Sequence, residues 1–441
     1  MARHKEKRVT KKLKKINRSA AGIDIGARCN FVAVDPSCAA KPVREFSAFT
    51  AGHLSLADWL SECKVTTVAM EATGVYWIPL FEILESRGFE VVLVNARHVK
   101  NVPGRKSDVI DCQWLQELHS YGLLQASFRP DQGICTLRSY VRQRGTLIRY
   151  ASSHILHMQK ALCQMNILLH QVVSDITGLT GLRIIRAIID GERDPQKLAA
   201  LRDGRCKRDE TEIARALHGN YRPEHIWQLQ LAFEAYEFYQ QQIQTCDSLI
   251  LAHLEILSYS EGDGLGQFDG SLRRSSVEEI MRKLTGADLT KIEGISTSTA
   301  LTILSEIGTD MSRWKSAKHF SSWLGLCPGT KISGGKVMDN SSRKVVNRAA
   351  TALRLAAFSL HQSKSAIGAF LRRLKSRIGA PKAITATAHK LARIIYNLLK
   401  YGAEYVATGQ KIYENQYQAR KLKVLTINAK SLGFKLVPIS P

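Results

Sequence analysis

Between Ala20 and Gly122 short strand-like runs alternate with helical ones, and this alternation constrains the fold more than any other feature of the chain. AGIDIGA and NFVAVDP, on either side of Arg28-Cys29, read as a hairpin. TTVAMEA (residues 66–72) is a further strand, and WIPLFEILESRG (77–88) is a helix stopped by Gly88. EVVLVNA (90–96) has the continuous apolar run of a buried strand. DVIDCQWLQELHSYG (108–122) is helical, with Val109, Cys112, Leu115 and Leu118/His119 along one side. Hairpin, strand, helix, strand, helix is the order of an α/β domain.

This domain carries acids where they are costly. Asp24 lies between Ile23 and Ile25 in the first strand, and alternation points it away from both. A charge inside an apolar strand costs several kcal/mol unless something pairs with it. Glu71 repeats the situation in Ala69-Met70-Glu71-Ala72. Asp108 and Asp111 are three apart at a helix start and share a face. Four carboxylates from two strands and a helix can converge at one end of a sheet. They would repel one another unless they bound hard cations, for which Mg²⁺ with oxygen ligands is the expected occupant. Two such ions can clamp a phosphodiester. Taken singly, Asp108 also suits a helix N-terminus, where the dipole favours negative charge, and Glu71 could pair with an arginine. Asp24, in a buried strand, is the hardest of the four to explain in such ordinary terms.

Residues 133–260 read as almost wholly helical. Ile226, Leu229, Phe233, Tyr236, Ile243, Ile250, Leu254 and Leu257 recur in steps of three and four, with Gln240 and Asp247 weakening the seam. The spacing fits a long antiparallel or dimeric coiled arm and, equally, an ordinary amphipathic core helix. GERDPQKLAALRDGRCKRDETE (191–212) is the charged, turn-containing insertion, and the Gly/Ser/Asp-rich SEGDGLGQFDGS (260–271) marks a boundary. Further on, KIEGISTSTALTILSEIG (291–308) has helix patterns around Gly294, a hairpin style whose amides can face a phosphate. AKHFSSWLG (317–325) is a short helix, GTKISGGKVMDNSS (329–342) reads as a polar loop, and a long helical stretch starts at Arg343. Residues 411–441 show no strong period.

Charge separates function classes. The chain has 441 residues and a formal net charge of +24. Residues 1–18 hold nine basic residues and one Glu, and residues 331–400 hold fifteen basic residues and one acid, Asp339. Two basic blocks around a near-neutral body point to nucleic acid rather than to solubility alone. The first 18 residues are expected to be disordered until they meet phosphates. No apolar run reaches the roughly 18 residues of a membrane span, and no apolar stretch follows the basic N-terminus as in a secretory signal. The nine cysteines are scattered and form no Cys-x-x-Cys pair, so neither a disulfide framework nor a structural zinc site is expected, and a cytoplasmic location fits.

Within the second basic block, Ser333 lies in Lys331-Ile332-Ser333-Gly334-Gly335-Lys336. Two glycines after a serine give an open backbone, and flanking lysines ease the approach of a phosphate. A serine is a poor nucleophile until a base or metal helps it, and the loop holds no histidine. As a bare motif it is an ordinary linker.

Together the pieces resemble a known family. GIDIGA around Asp24, MEATGVYW around Glu71, RKSDVIDCQWL around Asp108 and Asp111, IEGISTSTALTILSEIG and FSSWLGLCPGTKISGGK occur in the order seen in the DEDD transposases of bacterial insertion sequences, the serine-assisted, bridge-RNA-guided recombinases. The similarity runs from about residue 20 to about residue 402, ending in HKLARIIYNLLKYG. The resemblance implies an α/β plus α chain. Its parts would be a RuvC-like ribonuclease-H fold (20–130), a helical coiled-coil region (131–270, insertion near 191–225) and a mostly helical transposase domain with a helix-hairpin-helix-like element (271–405), with a basic arm (1–19) and a tail (406–441) outside the match. It implies that Asp24, Glu71, Asp108 and Asp111 hold Mg²⁺, two ions per site, and that Ser333 attacks the scissile phosphate to make a covalent link to DNA. It also implies donor and target DNA selected by a noncoding bridge RNA, and a dimer or tetramer with composite active sites. Lys331, Lys336, Arg343, Lys344 and Arg348 are candidate phosphate contacts because they neighbour the serine in sequence.

Three other readings compete. A structure-selective nuclease on the same fold would need the four acids but not Ser333. A sugar-kinase or actin-type phosphotransferase shares a Gly-Ile-Asp-Ile-Gly hairpin but needs a second hairpin and an adenosine motif, neither of which is seen. A catalytically dead scaffold is disfavoured because all four acids and the serine are present.

Overall fold

A computed structural model describes residues 14–72, 74–95, 107–259, 276–339, 341–343, 345–402 and 410–437. The chain divides into two compact units, residues 1–129 and 130–441.

The first unit is built on a five-stranded sheet in the order β3-β2-β1-β4-β5. The strands are β1 (Ala20–Ile25), β2 (Cys29–Ala33), β3 (Val43–Ser47), β4 (Thr67–Glu71) and β5 (Glu90–Val94). β1, β2 and β3 are antiparallel neighbours, whereas β1–β4 and β4–β5 are parallel. Helices α1 (Thr50–Glu62), α2 (Trp77–Ser86) and α3 (Asp108–Ser120) complete the unit. The core between sheet, α1 and α2 comprises Ile23, Ile25, Val32, Leu56, Leu60, Val68, Met70, Leu80 and Leu84, all fully or nearly fully buried. β3 and α1 are additions to the expected order. β3 is an edge strand with Arg44 and Glu45 exposed, so it lacks an apolar signature. α1 has Gly52 in its first turn, where a Cβ would meet the Ser47 carbonyl carbon at 2.9 Å.

The end of the basic arm is ordered. Backbone amides of Ile16 and Asn17 donate to the Ser120 carbonyl (2.8 and 3.0 Å), and Asn17 Nδ2 donates to the His119 carbonyl at 2.8 Å. The first two bonds satisfy the Ser120 carbonyl at the C-terminus of α3. Lys15 pairs with Asp35 and holds its carboxyl down at about 2. The arm from residue 14 is therefore pinned rather than disordered; residues 1–13 lie outside the described residues.

The second unit starts with the helical arm. α4 (Gln132–Gln164) pairs with α9 (Pro223–Tyr259) in antiparallel fashion. His253 Nε2 lies 2.8 Å from the Gly133 carbonyl at one end, and Tyr239 stacks on His154 further along, centroids 5.5 Å apart. Leu229, Phe233, Tyr236, Ile243, Ile250 and Leu254 are buried in the seam, as the spacing requires. Asp247 does not break it, because it is ion-paired with Arg144 of the facing helix. Of the two arrangements left open by the sequence, the seam's partner here is the chain's own α4. Between the two long helices lie α5 (Leu169–Val172), α6 (Leu179–Ile189), α7 (Pro195–Ala200) and α8 (Glu210–Ala216). The charged insertion supplies the last two, and Asp194 and Asp209 cap them by accepting from Gln196 N (2.9 Å) and Glu212 N (2.8 Å).

The remaining helices are α10 (Val277–Thr285), α11 (Thr297–Ile307), α12 (Ala317–Trp323), α13 (Arg348–Ser359), α14 (Ala366–Ile378), α15 (Ala380–Tyr401) and α16 (Gln410–Ser431). Gly294, at φ +85°, closes the turn before α11; a Cβ there would meet the Ala356 carbonyl at 2.8 Å, so the turn is packed against α13. An aromatic group of Trp314, Phe320, Trp323 and Tyr396 fixes α12 on α15, and Tyr396 donates to the Trp314 carbonyl at 2.8 Å. α4 is tied to α11 by Arg142, whose Nε and Nη2 donate to the two Glu306 carboxylate oxygens at 2.8 Å each. Arg138 donates to the Ser305 and Glu306 carbonyls at 3.1 and 2.8 Å. Residues 410–431 form a helix where no period was seen, because its apolar residues, Leu422, Val424, Leu425 and Ile427 among them, are exposed rather than gathered on one buried face. The Gly/Ser-rich boundary (260–271) lies outside the described residues.

Candidate active site

Asp24 is at the C-terminal end of β1 and Glu71 at the C-terminal end of the parallel neighbour β4, where Ile23 pairs with Met70. Ligand sites in open α/β sheets gather at such strand ends. The first turn of α3 delivers the other two acids. Ser107 caps α3 by accepting from Ile110 N at 3.3 Å, which places Asp108 and Asp111 in the first turn. α3 crosses directly over β1 at Gly22. A Cβ on Gly22 would lie 2.9 Å from Gln116 Cα and closer still to the Gln116 amide nitrogen and the Cys112 carbonyl. Only glycine permits that approach. Gln116 Nε2 then donates to the Ala20 carbonyl at 3.3 Å and sets the register of helix on strand.

The electrostatics follow from this packing. Burial, followed by the charges of Asp108, Asp111 and Glu71, pushes the Asp24 carboxyl up to about 6. The three other acids therefore all act on Asp24 at one end of the sheet. Among the described residues, however, no three His, Cys, Asp or Glu side chains come close enough together to ligate one metal ion. Beside Asp24 lies a cleft of about 360 Å³, lined by Asp24, Ile25, Gly26, Ala27, Arg28, Cys29, Phe31 and Asp108. Arg28 is an exposed cation in this cleft that the sequence marked only as a hairpin turn. Its signal is its place, four residues after the strand acid in the β1–β2 turn. Cys112 is no nucleophile: burial and the nearby Asp24 charge push its thiol up to about 12.

Ser333 belongs to the second unit. The segment read as a polar loop is a β-hairpin of β6 (Lys331–Ser333) and β7 (Lys336–Asp339). Gly334 and Gly335 both have positive φ (54° and 75°), the two-residue turn that matches strand twist. The glycines thus specify a turn rather than an open linker. Ser333 faces Lys336 across the hairpin, and every residue of both strands is exposed. Among the described residues none hydrogen-bonds the Ser333 hydroxyl. Arg343 is committed in part to structure, since its Nη2 donates to the Ser322 carbonyl and to Ser322 Oγ, the latter at 3.2 Å. Lys331, Lys336 and Arg348 are exposed, and Lys344 lies outside the described residues.

Comparison with known families decides the identity. The model of the DEDD transposase of the IS110 type matches residues 21–167, and that of the IS116/IS110/IS902 transposase family matches residues 286–372. The chain is an IS110-family transposase. No curated protein matches it. The first match spans Asp24, Glu71, Asp108 and Asp111 of the transposase, and the second spans Ser333 and its basic neighbours. An enzyme of this family cuts and rejoins DNA, so DNA is its substrate. Among the described residues no helix of the transposase is long and apolar enough to cross a membrane.

Proposed function

We propose that this transposase exchanges DNA strands through a covalent phosphoserine link made by Ser333, with Mg²⁺ held by Asp24, Glu71, Asp108 and Asp111, at sites chosen by a noncoding bridge RNA. The observation that carries the reading is the field of the other three acids, Asp108, Asp111 and Glu71, on Asp24. The order of the sheet strands, with α3 laid across β1, is consistent with a RuvC-like ribonuclease-H fold.

The donor set fits a hard cation: it is all carboxylate, and its mutual repulsion is what a divalent ion relieves. The four acids share a field without sharing a ligating distance. When bound, the ion supplies charge for the phosphate in flight. Arg28 in the cleft is placed to hold a non-bridging phosphate oxygen. In the reaction, Ser333 Oγ loses its proton and forms an ester to phosphorus as the bond to the departing deoxyribose oxygen breaks and that oxygen takes up a proton. Attack by a deoxyribose hydroxyl on the phosphoserine reverses the exchange and frees the serine, so no external energy source is needed. The charge of the second basic block supports contact with phosphates, and sequence choice by base pairing suits a chain with no groove-reading zinc finger. Composite sites in a dimer or tetramer belong to the same reading.

The test is denaturing electrophoresis of the full-length protein incubated with end-labelled element DNA, Mg²⁺ and RNA transcribed from the flanking noncoding DNA. A labelled protein band that disappears with Ser333→Ala supports the link. That no described residue hydrogen-bonds the Ser333 hydroxyl favours one rival, a metal-dependent hydrolase. It predicts cut DNA, no adduct, and full activity in Ser333→Ala.

A further inference from the structure

The hairpin that carries Ser333 has two unlike faces. Alternation puts Lys331 and Ser333 on one side, with Lys336 across from Ser333. Ile332 and Val337 are cross-strand partners on the other side, and Met338 is the extra residue at the register shift. The three apolar side chains are 65%, 59% and 70% exposed. Short strands with an uncovered apolar face are an unstable surface unless a partner occupies it.

The surrounding charge identifies the partner. Asp339 is the sole carboxylate in residues 331–400, against fifteen basic residues. DNA offers both complements at once, a phosphate backbone for the cationic face and the apolar surfaces of bases for the other. A two-stranded ribbon fits a DNA groove, and Ile and Met are among the side chains that wedge between base steps.

We propose that Ile332, Val337 and Met338 form a wedge that holds open the DNA step beside the scissile phosphate. The hairpin then lies between bases on its apolar side and the cleaved strand's backbone on the side of Lys331, Ser333 and Lys336. This rests on Ser333 being the nucleophile, and it adds a reason for the nucleophile's exposure: the serine reaches a phosphate turned out of the duplex by its own hairpin.

The experiment uses full-length Ser333→Ala protein, the flanking RNA and a duplex of the element junction with 2-aminopurine next to the scissile phosphate. Unstacking should raise the emission several-fold on binding. Ile332→Thr/Val337→Thr in the same background keeps β-branched strand residues, and an unchanged melting curve would show that it folds. It should remove most of the rise at saturating protein and leave the salt slope of binding unchanged, since no phosphate contact is lost. Lys331→Ala/Lys336→Ala should do the reverse, lowering the slope while each bound complex still emits. Equal emission with and without the apolar pair would overturn the wedge. So would a change in oligomeric state of the DNA-free Thr variant by light scattering, which would make a second copy the occupant. Adduct formation is read in parallel with Ser333 intact. If no adduct forms while the emission still depends on Ile332 and Val337, the nucleophile assignment fails and the wedge stands.

Discussion

Asp24 and Ser333 sit at the ends of strands of opposite kinds. Around Asp24 the backbone is locked: Ile23 and Ile25 are buried, α3 lies in contact with Gly22, and a charge that close packing has desolvated is pushed up to about 6. Around Ser333 the chain is held by the pairing of the hairpin itself, while both strands are exposed and a Cβ on Gly334 or Gly335 would meet nothing within 4 Å. The difference separates two tasks. Charges that stabilise a reacting phosphate act best when preorganised at low dielectric. A group that must be joined to a polymer has to be presented on the outside.

The comparison breaks first on catalysis. Ser333→Ala and Asp24→Asn should each lower strand exchange by about 10³-fold or more, measured as recombined plasmid. Asp24→Asn should leave DNA binding near normal, and a variant retaining a tenth of the activity would sink the assignment. Next comes backbone fit. Gly22→Ala drives a methyl into the α3 backbone and should cost about 3 kcal/mol in urea unfolding, whereas Gly335→Ala pays only the left-handed conformation, about 1–2 kcal/mol. Equal costs would mean that α3 does not rest on Gly22. Of similar size is the loss in Arg142→Ala, about 3 kcal/mol, because it removes the two-pronged partner of a Glu306 carboxylate that is only 9% exposed.

A smaller effect concerns pH. Folded Asp24 keeps its proton up to about pH 6, while an unfolded aspartate loses it near 3.8. Ionisation therefore costs the folded state, and metal-free protein should lose stability as pH rises from about 4 through 6. Solvent reaches the site, so the expected loss is on the order of 1–2 kcal/mol. Asp24→Asn should flatten that slope in thermal melts, and Mg²⁺ should restore stability at pH 7. A metal-free melting temperature that climbs over the same range in wild type but not in Asp24→Asn would contradict the sign. The smallest effect is at the hairpin: Lys331→Ala and Lys336→Ala should each reduce the log–log salt slope of DNA binding by about 1.

Much of the first unit was legible because its physics is local. A charge between two isoleucines announces a special strand, and Asp108 with Asp111 on one face announces the start of a helix. Val43–Ser47 and Arg28 were not legible in these terms, since an edge strand need not be apolar and a turn arginine is ordinary until the cleft beside it is known. Ser333 was singled out by its chemistry, but Gly334-Gly335 served an open linker and a tight hairpin turn equally well on paper.

The amino-acid order by itself set the alternation of strands and helices, the four acids, the basic blocks and the heptad-like seam from Leu229 to Leu254, because periodicity and charge are carried residue by residue. Tertiary structure alone decided that α3 crosses β1 at Gly22, that Asp24 feels all three other acids, that the seam closes on α4, and that Ile332 and Val337 share an uncovered face. Each of these depends on which distant segments approach, and that is fixed by the shape of the packed whole rather than by any one stretch of chain.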